Sequence, residues 1–175
     1  GLGNPGPRYD KTRHNIGFEI LNAFADRHFF PTAKSRFDGL VTDQSVIGEK
    51  VVLLAPQTYM NTSGKSVRQC VDFYKIEHDD VMVVVDDMNL DVGRMRIRAS
   101  GSAGGLRVGV GRPPGRMAAS DYVLQRFSDA DRQLVDVCVQ EAVEGLEHWV
   151  SDGIEKAMNL LNPSKESKPK KQRNK

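Results

Sequence analysis

A run of five apolar residues at 81–85, VMVVV, constrains the fold of this chain more than any other stretch. A short continuous run of this kind is typical of a central β-strand that is covered on both faces. Apolar residues recur at helical spacing in 15–30 and 63–74, and strand-like stretches follow at 95–98 and 106–110. Because strands and helices interleave along the chain, we predict an α/β protein with a twisted sheet covered by helices.

Four further segments fit the same class. Residues 40–47 and 51–54 predict two strands that are joined by a turn. Ser128 and Asp131 form a capping-box-like start to a long amphipathic helix, and a short helix is expected over 154–161. The sequence shows no internal repeat and no sign of a second domain, so a single folded unit is predicted.

Charge is distributed unevenly along the chain. The 175 residues carry a formal net charge of +2, but residues 165–175 alone hold six basic side chains and one acidic one. The rest of the chain is therefore slightly acidic, and the tail, which has no apolar side chain, is expected to be disordered. We divide the chain into a folded domain at 1–162 and a basic tail at 163–175.

Composition argues against several classes of protein. No run of 18 apolar residues is present and no signal peptide is visible, so no membrane segment is predicted. Cys70 and Cys138 lie on apolar helical patterns without a Cys-x-x-Cys partner, which favours buried thiols in a reducing cytoplasm. A metal site is not expected either, because no cluster of acids and histidines supports one.

The stretch GLGNPG at 1–6 is the first candidate for a functional loop. Its glycines match the spacing of a dinucleotide-binding loop, but Pro5 and Pro7 prevent a helix from beginning at the third glycine. The acidic residue that such a site needs is not found at a strand end, and cofactor absorbance would test this weaker interpretation. His14 follows the loop, just before a helix, where it could act as a general base.

Further candidates are acidic, amide and basic side chains. Asp86 and Asp87 follow the 81–85 strand, where ligands of open α/β sheets bind, and could orient a histidine, bind a metal or begin a turn. Asn61 could cap the helix that follows it or serve as an amide of the site. Arg96 and Arg98 precede a glycine-rich turn and could bind a phosphate or face solvent.

Taken together, these segments resemble the bacterial peptidyl-tRNA hydrolase family. The matching motifs are GLGNPGPRYDKTRHNIGF, LLAPQTYMNTSGKSV, VVVDDMNLDVGRMRIR, LRVGVGRPPG, YVLQRF and AMNLLN, in this order over nearly the whole chain. The resemblance implies a monomeric, single-domain, three-layer α/β/α sandwich with a mostly parallel mixed sheet. It also implies a cytoplasmic enzyme without metal or organic cofactor, whose partner is peptidyl-tRNA and which hydrolyses the ester bond between the peptide and the tRNA.

The same resemblance assigns roles to individual residues. His14 would be the catalytic base, and Asp86 would orient it. The glycine loop would hold Asn4 so that it faces the cleft. The substrate-binding residues would be Asn4, Tyr9, Tyr59, Met60 and Asn61. Phosphate groups of tRNA would be bound by Arg98 and Arg107.

One stretch departs from the family pattern. The family continues GSAGG with a histidine–asparagine pair and a helix, whereas Gly105 is followed directly by Leu106 here, and the chain begins inside the family's first strand. We expect both segments to exist in the polypeptide, which would then be heavier than 19.4 kDa. A true loss of the internal segment would put hydrolysis in doubt, and the alternative function is a non-catalytic RNA-binding module of the kind that takes part in splicing.

Overall fold

The computed structural model describes residues 1–100 and 103–162, and the expected tail at 163–175 lies outside these residues. The strands are β1 (Lys34–Arg36), β2 (Gly39–Val46), β3 (Glu49–Pro56), β4 (Met82–Asp87), β5 (Met95–Ser100) and β6 (Ala103–Gly109). The helices are α1 (Ile16–Arg27), α2 (Ser63–Tyr74), α3 (Ala119–Val123), α4 (Asp129–Asp152) and α5 (Ile154–Leu161). The predicted α/β class is confirmed.

The strands form two three-stranded sheets, in the orders β1-β2-β3 and β4-β6-β5. The first residues of the chain lie between them, because the Leu2 N–H donates to Val84 O at 2.9 Å and the amino group of Gly1 donates to Leu54 O at 3.0 Å. Only the β4–β6 pair is parallel among the described strands. The expectation of a mostly parallel sheet is therefore wrong, since β2–β3 and β5–β6 are joined too closely for a crossover.

Helices pack on both faces of the strands. Ile20 of α1 and Val143 of α4 are fully buried in one core together with Leu106 of β6. On the other side, Val52 of β3 shares an apolar cleft with Val67 of α2. This arrangement gives the three layers that were expected.

The outer face of β5 and β6 differs from the expectation for a fully covered sheet. Arg98 and Arg107 are exposed, and a side chain added at Gly105 would meet no atom within 4 Å. In β4, Val84 is buried while the rest of the strand is only half-buried. The prediction that this strand is fully covered on both faces is therefore wrong, because Val83 and Val85, which stand beside Gly105 and Arg107 of β6, are only half-buried.

The helix signals in the sequence are local and reliable. The hydroxyl of Ser128 accepts a hydrogen bond from the Asp131 N–H, as the predicted cap requires, and such a cap contributes about 1 kcal/mol. The short elements β1 and α3 were not predicted, since three and five residues are too few to show a period. Within 1–100 and 103–162, no helix is long and apolar enough to cross a membrane.

Candidate active site

The glycine loop lies against the start of α1 with almost no space between them. A Cβ on Gly17 of α1 would lie 2.5 Å from the carbonyl oxygens of Leu2 and Val84. A Cβ on Gly3 would lie 2.9 Å from the ring of Phe18 and 3.0 Å from Oδ1 of Asn15. Glycine at position 17 is therefore required for the close approach of two backbones. The loop is followed only by the 3-10 turn Pro7–Tyr9, and no α-helix begins there as it would in a dinucleotide site.

His14 and Asp86 form the central contact of the site. His14 lies in a 3-10 turn, Arg13–Asn15, and Asp86 lies near the carboxyl end of β4. Nδ1 of His14 is 3.0 Å from both Oδ1 and Oδ2 of Asp86, and the two side chains are 21% and 8% exposed. Because an ionised carboxylate only accepts, the proton of the neutral ring is on Nδ1, which leaves Nε2 free to accept one.

Arg13 fixes the turn that carries His14. Its side chain is buried, its guanidinium donates to Arg126 O at 2.5 Å, and it pairs with Asp131 at 3.2 Å. The backbone N–H of Arg13 donates to Gln125 O at 3.0 Å, and its guanidinium lies 4.3 Å from the ring centroid of Tyr122. The turn is thereby fastened to the segment between α3 and α4.

A second contact joins the glycine loop to the segment before α2. Oδ1 of Asn4 accepts a hydrogen bond from the Met60 N–H at 3.0 Å. Asn61 follows in the same 3-10 turn and is exposed, and α2 is preceded by Thr62 as its N-cap. The alternative that Asn61 merely caps this helix is therefore not supported, and its side chain is open to a ligand.

The two predicted tyrosines lie on loops of the same region. Tyr59 directly precedes Met60 and is 61% exposed. Tyr9 ends the 3-10 turn Pro7–Tyr9 and is half-buried. The predicted substrate-binding residues thus lie on two loops, and the contact of Asn4 with Met60 holds those loops together.

The predicted phosphate-binding arginines lie on the outer face of the sheet. Arg107 of β6 stands opposite Arg96 of β5, and Arg98 stands opposite Gly105. Nη1 of Arg107 is 3.4 Å from Oδ2 of Asp87. Because successive side chains of a strand point to opposite faces, Asp86 faces His14 while Asp87 faces the arginines.

The remaining titratable candidates are structural. Cys70 and Cys138 are free and buried, as predicted. Burial raises the pKa of the Cys138 thiol to about 11. No group of three or more histidine, cysteine or acidic side chains that could hold a metal occurs in the described part of the chain.

Sequence reasoning missed one buried polar residue of the site, Asn15. Its side chain is 3% exposed and makes two hydrogen bonds to the backbone of Asn4. The only signal in the sequence was its place beside His14, and an asparagine before a helix is also typical of a cap.

Comparison with known proteins locates the segment of the family pattern that this chain lacks close to Gly105. The family model described as peptidyl-tRNA hydrolase matches residues 1–107 and, separately, 105–171. The curated peptidyl-tRNA hydrolase of Rhodopirellula baltica is 41% identical to this chain over 180 aligned positions. Only 93% of the 175 residues of this chain take part in that alignment, so at about 17 positions the relative has a residue and this chain has none. The two overlapping matches indicate that the missing positions fall near Gly105–Arg107.

The similarity otherwise extends over both chains. The alignment covers 95% of the Rhodopirellula protein, and a peptidyl-tRNA hydrolase of Syntrophomonas wolfei is 41% identical over 93% of this chain and 97% of its own. The crystal structure of peptidyl-tRNA hydrolase from Acinetobacter baumannii superposes with a TM-score of 0.87 at 29% identity, covering 93% of this chain and 92% of that one. Family model, sequence relatives and fold agree, and the chain belongs to the peptidyl-tRNA hydrolase family.

Proposed function

We propose that this protein hydrolyses the ester bond between peptide and tRNA in peptidyl-tRNA, and so recycles tRNA from translation that has ended prematurely. The observation that carries the proposal is the contact of His14 Nδ1 with both oxygens of Asp86 at 3.0 Å. It leaves one basic ring nitrogen at the carboxyl end of β4, where ligands of α/β sheets bind. Family membership indicates the substrate, and this pair supplies the base.

The reaction needs only an activated water. Nε2 of His14 removes a proton from the water while its oxygen attacks the ester carbonyl carbon. Asp86 stabilises the imidazolium that forms. When the bond to the ribose oxygen breaks, the imidazolium returns the proton to that oxygen. The products are a peptide with a free carboxyl group and a tRNA with a free ribose hydroxyl.

Amide side chains stabilise the charge that develops on the carbonyl oxygen. Oδ1 of Asn4 is occupied by the Met60 N–H, so the Nδ2 group of Asn4 is the donor directed to substrate. Asn61 supplies a second amide for the ester or the peptide backbone. Tyr9, Tyr59 and Met60 would contact the peptide beside these amides, and contacts of this kind tolerate many peptide sequences.

The tRNA body binds away from the reacting bond. Arg98 and Arg107 on the outer face of β5 and β6 bind phosphate groups, which give affinity without base specificity. We further propose that the protein acts as a monomer in the cytoplasm and that His14 activates water without a metal.

The test compares hydrolysis with binding. Wild-type protein should release tRNA from an N-blocked aminoacyl-tRNA, and His14→Ala should lose about a hundredfold to ten-thousandfold in rate. Binding of an uncleavable analogue should remain nearly intact, because the base acts mainly in the transition state. Wild-type protein that binds tRNA without cleaving it would refute the proposal. The break near Gly105 would then favour the alternative, a non-catalytic RNA-binding module.

A further inference from the structure

Asn15 contacts the glycine loop through both ends of its side-chain amide. Its Oδ1 accepts from the Asn4 N–H at 2.9 Å, and its Nδ2 donates to Asn4 O at 2.9 Å. The side chain is nearly fully buried. Because a backbone N–H only donates and a carbonyl only accepts, these two partners fix the orientation of the Asn15 amide.

The same reasoning fixes the direction of the Asn4 side chain. Its Oδ1 accepts from the Met60 N–H, which can only donate. Its Nδ2 must then point away from Met60, and it has no hydrogen-bond partner among residues 1–100 and 103–162. Asn4 therefore presents a free donor, and the position of that donor depends on the backbone that Asn15 holds.

We propose that Asn15 is a positioning residue, which aims the Nδ2 donor of Asn4 at the carbonyl oxygen of the ester. The proposal rests on the proposed function for the identity of the substrate. His14 and Asn15 are neighbours in one 3-10 turn, so the turn that holds the base also holds the donor. A rigid connection of this kind keeps both groups in place without reorganisation during the reaction.

Gly3 makes room for the hydrogen bonds between Asn15 and the backbone of Asn4. A Cβ at this position would approach Oδ1 of Asn15 to 3.0 Å, in the place where that oxygen meets the Asn4 N–H. Because Gly3 has no side chain, the Asn15 amide has room to reach the backbone of Asn4. One role of the GLGNPG stretch at 1–6 is therefore to accommodate the Asn15 side chain.

The test substitution is Asn15→Asp. Aspartate has the same shape and still accepts from the Asn4 N–H, but its second oxygen would face Asn4 O and repel it. The matched control is Asn162→Asp, because Asn162 makes the same two bonds, each 3.0 Å, with the backbone of Ile97 on β5. If either aspartate variant unfolds at the assay temperature, the corresponding alanine variant replaces it with the same expectations.

We expect Asn15→Asp to lower kcat for an N-blocked aminoacyl-tRNA by about tenfold to a hundredfold, somewhat less than the loss of a whole oxyanion donor. KM should barely change, since the tRNA body is bound elsewhere. Asn162→Asp should lower the melting temperature and leave kcat unchanged. In the background of Asn4→Ala, Asn15→Asp should cause no further loss, because the donor it positions is already gone.

Hydrogen exchange gives a readout that does not need activity. In Asn15→Asp, the Met60 amide should exchange faster, while the Thr62 amide, bonded to Tyr59 O at 2.9 Å, keeps its rate. The proposal is overturned if the exchange rate of the Met60 amide does not change in Asn15→Asp. It is also overturned if the kcat losses of Asn4→Ala and Asn15→Asp multiply in the double variant, or if Asn162→Asp loses as much kcat as Asn15→Asp. If wild-type protein does not cleave the ester, the proposed function fails, and Met60 exchange still decides the role of Asn15.

Discussion

Replacing Asp86 with Asn tests the His14–Asp86 pair most directly. Asparagine keeps the size of the side chain but removes the charge that holds Nδ1–H and stabilises the imidazolium. A hydrogen bond to a charged group contributes about 1.5–3 kcal/mol, and about 1.4 kcal/mol corresponds to tenfold in rate. Because the Asp86 side chain is only 8% exposed, water cannot replace it and the upper half of this range applies. We expect the single-turnover rate to fall roughly 40- to 150-fold.

A second histidine–carboxylate pair provides the control. Nε2 of His28 lies 2.8 Å from Glu147, and these side chains are 19% and 24% exposed. His28 follows the last residue of α1, and twelve helical residues place it about 18 Å from the start of that helix. Glu147→Gln therefore makes the same chemical change in another partly buried histidine–carboxylate pair that lies far from His14, and the rate should not change.

The assay is hydrolysis of an N-blocked aminoacyl-tRNA with enzyme in excess, so that product release does not limit the rate. His14→Ala should be slower than Asp86→Asn, because the uncharged pair still leaves a ring nitrogen that can accept a proton. A near-normal rate for Asp86→Asn would refute the role of the carboxylate. An equal loss in Glu147→Gln would show that the effect is not specific to the site.

Three further predictions concern binding, reactivity and pH. Arg98→Ala and Arg107→Ala should each weaken tRNA binding and lower the slope of log affinity against log salt concentration by about one unit, while cleavage of a minimal ester without the tRNA body stays unchanged. An equal loss of activity on the tRNA ester and on the minimal ester would contradict this prediction. Since burial raises its pKa to about 11, Cys138 should react with a thiol reagent at pH 8 only after unfolding, and rapid labelling of native protein would disprove it. Burial also raises the pKa of Glu19 above its ordinary 4.5, so ionised Glu19 costs stability at neutral pH. Glu19→Gln should raise the melting temperature at pH 7, and the difference from wild type should vanish below pH 4.5, where Glu19 is protonated in both the folded and the unfolded state. A lower melting temperature at pH 7 would show that the ion pair of Glu19 with Arg132 outweighs the cost of burying the carboxylate.

Much of the fold was predictable because its signals are local. The predicted helix at 63–74 coincides with α2, and the helix after Ser128 begins where its cap predicts. The sheet was predicted less well, because the direction and coverage of a strand depend on residues distant in the chain. The apolar run at 81–85 looked fully enclosed, yet only Val84 is buried in β4.

The sequence by itself determined the family and the α/β class, and it pointed to most residues of the candidate site, since these follow from motifs and periodicity within single segments. The tertiary structure alone decided which of those residues meet. His14 and Asp86 are 72 positions apart, and Asn4 is 56 positions from Met60. It also revealed Asn15, because the direction of a buried amide is set by the backbone groups around it, and those groups come together only when the loop packs against the turn.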